Sequence, residues 1–282
     1  MSEEKKTQWH PPFYAGMRLE LRENREDLEF QNEVTLNTKP IQLDLLIIKK
    51  RAGAVIRSEL GRIFRGYNVF EYKSPEDTLG VNEYFKTVAY ASLYKAASSG
   101  QGKVRADDIT LSLVREGAPR DLLKWEENSG GRVEEAFPGV YYIYGEQIIF
   151  PTQVIVSSKL TDDGHEWLKS LTSHLTENAG ERLLTSAREL TDKREQDDAD
   201  AVLQLAISEN KALFEKLKEV PEMKNQALME LMRPELEEER KEGRAEGRAE
   251  MVKKAISLGN SVQQISLLLG LSEDEVRKLS KA

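Results

Sequence analysis

"NVFEYKSPED", residues 68–77, poses the first problem of the sequence. Val69, Phe70 and Tyr72 read as a half-buried strand, yet Glu71 and Lys73 set a carboxylate and an ammonium two residues apart within it. Strand side chains alternate, so Glu71 and Lys73 share one face, about 7 Å apart along the chain, and Phe70 and Tyr72 share the other. Burying a charge is costly unless it is paired or ligates a metal. The plain reading is a Glu–Lys pair at an exposed strand end, which contributes little. The sharper reading is a built site, and it needs support from elsewhere in the chain.

Composition narrows the field. The chain has 282 residues, 39% hydrophobic and 32% charged, as expected of a soluble chain with a real core and a charged periphery. No apolar run is long enough to span a membrane, and the opening "MSEEKKTQWHPPF" lacks the apolar segment of a signal peptide. A cytoplasmic protein with no membrane partner is expected. There is no cysteine, which removes disulfides, thiolate zinc sites and cysteine nucleophiles together. His10, His165 and His174 are too scattered to suggest a histidine metal site. The net charge of −8 argues against nucleic-acid binding through bulk positive charge. One segment runs the other way: "KKRAGAVIRSELGRIFRG", 49–66, holds Lys49, Lys50, Arg51, Arg57, Arg62 and Arg65 against Glu59 alone, a local net charge of +5. It is either a solvated face or a wall that meets phosphates.

Working outward, residues 11–24 read as a helix with Pro at its start. Phe13, Met17 and Leu21 share a face, and Glu20 leans toward it. "LEFQNEVTL" (28–36) and "IQLDLLIIKK" (41–50) read as strands joined by the turn "NTKP". The second is apolar on both faces, a central strand, with Asp44 as its one acid. Residues 77–97 read as a helix, with Val81, Phe85, Val88 and Leu93 as its apolar side and Tyr84, Tyr90 and Tyr94 along it. A strand at 108–117, a short helix from Pro119 through Trp125, and two strands through Leu160 complete a mixed α/β unit covered on both faces. From Thr161 onward the pattern is helical. "EGRAEGRAE" repeats in tandem, and Gly243 and Gly247 each cost a helix roughly 1 kcal/mol relative to Ala, as in a connector. The expected organisation is therefore a core over 1–160, a helical extension over 161–250 and a small tail over 251–282.

The misplaced polar residues then form a set: Glu20 on the first helix, Asp44 in one strand, Glu71 and Lys73 on the next. Hard divalent cations take oxygen ligands and keep several waters. Two carboxylates on adjacent strands make such a site if they converge on one face. A cation there polarises a phosphoryl oxygen while a nearby Lys stabilises developing charge.

"QLDLLII" followed by "NVFEYKSP" resembles the core signature of the PD-(D/E)XK phosphodiesterase superfamily. More narrowly, residues 10–97 and the glycine-punctuated tail are similar to bacterial recombination-promoting nucleases and transposase-like proteins. The signature is short, and its weight lies in the order: helix with Glu, strand, strand with Asp, strand with E-x-K, helix. The resemblance implies a restriction-endonuclease-like α/β fold, a mixed central sheet flanked by helices with a helical C-terminal extension. It implies Mg²⁺ (or Mn²⁺) as cofactor and DNA as partner. Asp44 and Glu71 would be metal ligands, with the Tyr72 carbonyl a third, and Lys73 would position water or stabilise the transition state. Glu20 matches a helical glutamate that completes the shell in some relatives. Where relatives carry Q-x-x-x-Y on the next helix, this chain has Lys86 and Tyr90. Lys replaces Gln there, and touches a phosphate only as a point charge. Leu43 stands where the family has Pro.

The tail, "SVQQISLLLGLSEDEVRKL" (261–279), has Ser266, Gly270 and Val276 at helix-turn-helix spacing. Its second helix opens on three acids, so packing or homo-oligomerisation fits better than DNA. The expected function is a Mg²⁺-dependent DNA phosphodiesterase. The rivals are a non-catalytic nucleic-acid or protein-binding module on the same fold, and an interaction protein acting through its helical tail. No P-loop, dinucleotide glycine run or HExxH helix points elsewhere.

Overall fold

A computed structural model describes residues 8–32, 45–98, 104–219, 251–257, 260–269 and 271–279. The turn "NTKP", Asp44, the "EGRA" repeat and Gly270 lie outside these. The chain falls into two compact units, Met1–Met223 and Lys224–Ala282.

In the first unit, α1 (His10–Glu20) starts with prolines in its first turn, where a missing N–H costs nothing. It is followed by a 3₁₀ turn (Arg22–Asp27) and then by β1 (Leu28–Asn32), β2 (Leu45–Lys50) and β3 (Tyr67–Lys73). Next come α2 (Val81–Ala97), β4 (Ile109–Arg115), α3 (Arg120–Asn128), β5 (Arg132–Phe137), β6 (Val140–Tyr144) and β7 (Thr152–Val156). The strands form one mixed sheet in the order β1-β2-β3-β4-β7-β6-β5. β3, β4 and β7 run parallel, and both wings are antiparallel. The parallel neighbours are the driest strands: every residue of β7 and all but the last of β4 are buried.

One face of the sheet carries Ile47, Val69, Leu111, Leu113, Val154 and Val156, packed against Tyr84, Val88 and Ala91 of α2 and Leu122 of α3. The expected apolar side of α2 is corrected here. Val88 is buried, but Phe85 is 53% and Leu93 49% exposed, and Thr87 and Ala91 take the inner positions. Small residues there let the helix lie close to the sheet. β5 has no counterpart in the sequence reading, because "RVEEAF" is charged and has no buried residue, as suits an edge strand.

The opposite face carries Phe70 and Tyr72, with Phe13 of α1 stacked on Tyr72 at 4.4 Å between centroids. A polar row crosses this face. Asn68 Oδ1 accepts from Thr110 at 2.6 Å, and Gln153 Nε2 donates both to Ser112 Oγ and to the Leu60 carbonyl at 2.8 Å. Asn68 also bonds the N–H and carbonyl of Arg65, so the row fastens the 58–66 loop to the sheet.

Eight of the eleven residues of α1 are buried, which one sheet contact cannot achieve. The rest of its cover comes from α4 (Glu166–Lys169) and α6 (Lys193–Glu209). A Cβ at Gly16 would stand 3.8 Å from Val202 and 3.9 Å from the Trp167 carbonyl. Arg18 bonds Asp198 through both Nε and Nη2, at 2.9 and 2.5 Å. With α5 (Glu177–Glu189) and α7 (Lys211–Glu219), these helices belong to the sheet's own unit, so the boundary expected at 160 falls inside it.

Gly139 makes the turn between β5 and β6 at φ 76°. A Cβ there would meet Leu160 N and Val156 O at 2.8 Å and Lys159 C at 2.9 Å, all backbone atoms that cannot swing aside. Gly139→Ala is expected to cost on the order of 1–3 kcal/mol from backbone strain before any clash is counted. Urea unfolding of the two proteins checks this, and a midpoint unchanged within error would contradict it.

In the second unit, helical segments 251–257, Val262–Leu269 and Glu273–Leu279 enclose Val252, Ile265, Leu271 and Val276. Ser266 Oγ donates to the Leu271 carbonyl at 2.6 Å, and Ser272 caps the last helix reciprocally with Glu275. No described helix is long and apolar enough to cross a membrane.

Candidate active site

β3 ends on the pair that the sequence singles out. Glu71 and Lys73 continue the face of Val69, on the α2 side. Lys73 Nζ lies 2.7 Å from Glu71 Oε1, with side-chain exposures of 18% and 6%. This is no solvated strand-end pair: both charges sit in a largely dry position, paired with each other. Lys73 is the only polar partner of Glu71 among the described residues.

The neighbouring strands supply the surroundings. Across β2 the residue in register with Glu71 is Leu45. Asp44, one position before it, lies outside the described residues. Across β4, Arg115 is in register with Lys73. Tyr72 points to the opposite face, so only its main-chain carbonyl could join Glu71. Its hydroxyl is buried without a hydrogen-bond partner among the described residues. Burial, with Glu116 and Asp77 nearby, pushes that hydroxyl well above the usual phenol range.

Glu20 is placed elsewhere. It sits at the end of α1, on the Tyr72 side of the sheet, and its side chain is fully enclosed. Its Oε2 lies 2.8 Å from His165 Nδ1, and its Oε1 accepts from the Leu168 N–H at 2.9 Å, capping α4 from outside. His165 Nε2 faces Glu59 Oε2 at 3.8 Å, in a cavity of about 270 Å³ that Arg22, Glu23, Arg57 and Asp163 also line. Burial pushes Glu20 up, against the pull of His165 and the Leu168 N–H. Burial alone lowers His165, but the hydrogen bond and charge of Glu20, with Glu59 and Glu166, outweigh it and raise the imidazole. Sequence reading missed His165 as a partner because 145 residues separate it from Glu20.

The basic segment is largely matched at home. Lys49 pairs with Glu29 at 2.9 Å, Arg51 with Asp27, and Arg57 with Glu23 at 3.5 Å. Lys50 donates to the Ala54 carbonyl and Arg65 to the Asp107 carbonyl. Arg62 makes no ion pair among the described residues and lies near Tyr142. On α2, Lys86 Nζ sits 5.4 Å over the Tyr90 ring, one helical turn apart.

A hard cation requires several converging oxygens. Among the described residues no group of three or more His, Asp or Glu side chains gathers to hold a metal. Glu71 fits as one oxygen donor of such a set, its second oxygen having no partner among the described residues. Comparison with protein-family models, curated proteins and solved structures finds no match for this chain.

Proposed function

We propose that this chain is a metal-dependent phosphodiesterase acting on DNA, with a restriction-endonuclease-like core and its active site at the end of β3. The observation that carries the reading is the buried Glu71–Lys73 pair. A buried ion pair is a weak source of stability, since an apolar pair of similar volume often does as well or better, which favours a chemical role for this one. The element order supports it: helix, three strands, helix and strand run in the expected sequence from α1 to β4.

Glu71, Asp44 and the Tyr72 carbonyl would hold the cation, which when bound supplies positive charge against a phosphoryl oxygen. Glu71 orients Lys73, and the low-dielectric surroundings strengthen the field of the ammonium at a phosphate. Lys73 donates to the attacking water or to the phosphoryl oxygens as negative charge grows on them. Glu20, enclosed with His165, is assigned no part in this chemistry. The closure of Lys73 on Glu71 favours a second reading, a non-catalytic DNA-binding module on the same scaffold.

Supercoiled-plasmid nicking by the purified protein separates the two. Cleavage in Mg²⁺ or Mn²⁺ that EDTA abolishes is the expected result. DNA binding without cleavage under any of these conditions would replace the enzyme with the binding module.

A further inference from the structure

We propose that Arg115 is a second phosphate-binding cation of this site, contacting a phosphodiester of the DNA backbone beside Lys73; the inference rests on the reading of the Glu71–Lys73 pair as a DNA site. β3 and β4 are parallel neighbours, and Lys73 and Arg115 are register partners. Their side chains therefore leave the sheet on the same face from backbones about 4.8 Å apart. Like charges placed side by side on adjacent strands are destabilising. Glu71 answers Lys73 at 2.7 Å, which leaves Arg115 as the charge without an ion pair among the described residues.

The guanidinium is half-buried, and among the described residues no carboxylate lies within ion-pair distance of it. Instead it is held by main-chain oxygens. Nε donates to the Asp77 carbonyl at 3.0 Å, and Nη1 reaches the Gly117 carbonyl at 3.5 Å. Nη2 makes no hydrogen bond among the described residues. Gly117 keeps the space open: a Cβ there would stand 3.2 Å from Nη1. The planar fork is thus fixed from one side with donor capacity to spare, an arrangement suited to a phosphate oxygen. A half-buried charge favours a counter-charge, and among the described residues none lies within ion-pair distance of Arg115.

The test is binding of a short labelled duplex in EDTA, measured by fluorescence anisotropy across about 50–200 mM salt. Each phosphate contact adds about 0.9 to the steepness of log K against log salt. Arg115→Gln is expected to reduce that slope by about 0.9, while Arg115→Lys keeps it. A guanidinium that only braces the 74–80 loop would lower the melting temperature in both variants and leave the slope alone. An unchanged slope in Arg115→Gln overturns the proposal. A slope change in a protein that never cleaves DNA keeps Arg115 and removes the enzyme reading. Absence of DNA binding by the wild type removes both.

Discussion

Alanine at Lys73 is expected to lower metal-dependent DNA cleavage by about 10²–10³-fold and to cost about 3–5 kcal/mol of folding stability. The second effect follows from burial alone. Glu71 has 6% of its side chain exposed and Lys73 as its partner at 2.7 Å, so the variant strands a carboxylate in a dry position. Lost activity in Lys73→Ala would therefore be ambiguous. The paired substitution Glu71→Leu with Lys73→Met removes both charges at similar volume and is expected to fold with little loss or a small gain. It should nonetheless be inactive. Melting curves and plasmid cleavage of the two variants and the wild type decide the matter. A double variant that melts like wild type and still cuts DNA would remove Glu71 and Lys73 from the chemistry.

His165→Ala carries a comparable penalty on the other side of the sheet. It leaves the fully enclosed Glu20 with the Leu168 N–H alone, at a cost of about 3–5 kcal/mol. The wild-type pair also sets a pH dependence. His165 is raised above its ordinary 6.5, so its contribution is complete below that pH and is lost as pH rises through the folded-state value. Glu20 is raised above 4.5, so above that pH the folded state again holds more of its proton than the unfolded chain. Both shifts act in one direction: this pair's stabilisation falls as pH climbs from mildly acid to alkaline. The slope is bounded by about 1.4 kcal/mol per pH unit for one proton. Melting temperatures of wild type and Glu20→Gln across that range test it. Parallel curves would show that the pair does not titrate in this way.

Much of the sheet was legible because its strands obey simple patterns. β2, β3, β4 and β7 appear as apolar or alternating runs broken by turn residues. β5 was not, since an edge strand answers to solvent and pairs with one neighbour. The inner face of α2 was misread because apolar residues lie all round that helix, and packing distance chose Ala91 over Leu93. Glu71 and Lys73 were legible as a pair, as strand alternation fixes their shared face. Glu20 was correctly turned inward, but its partner was hidden, because periodicity describes a residue's own element and not one 145 residues away. Arg115 escaped notice for a similar reason: only the register of β3 against β4 brings it beside Lys73.

The enclosure of α1 has a consequence for how the chain is made. Its sheet-facing side can be covered once β3 exists, but its outer side waits for α6, and Arg18 waits 180 residues for Asp198. At translation rates of 5–20 residues per second that is roughly 10–40 s during which a mostly buried helix stands with one side bare on the ribosome. α1 is made some 180 residues ahead of the partner that secures its outer side, so during synthesis that side is a surface for chaperones to meet.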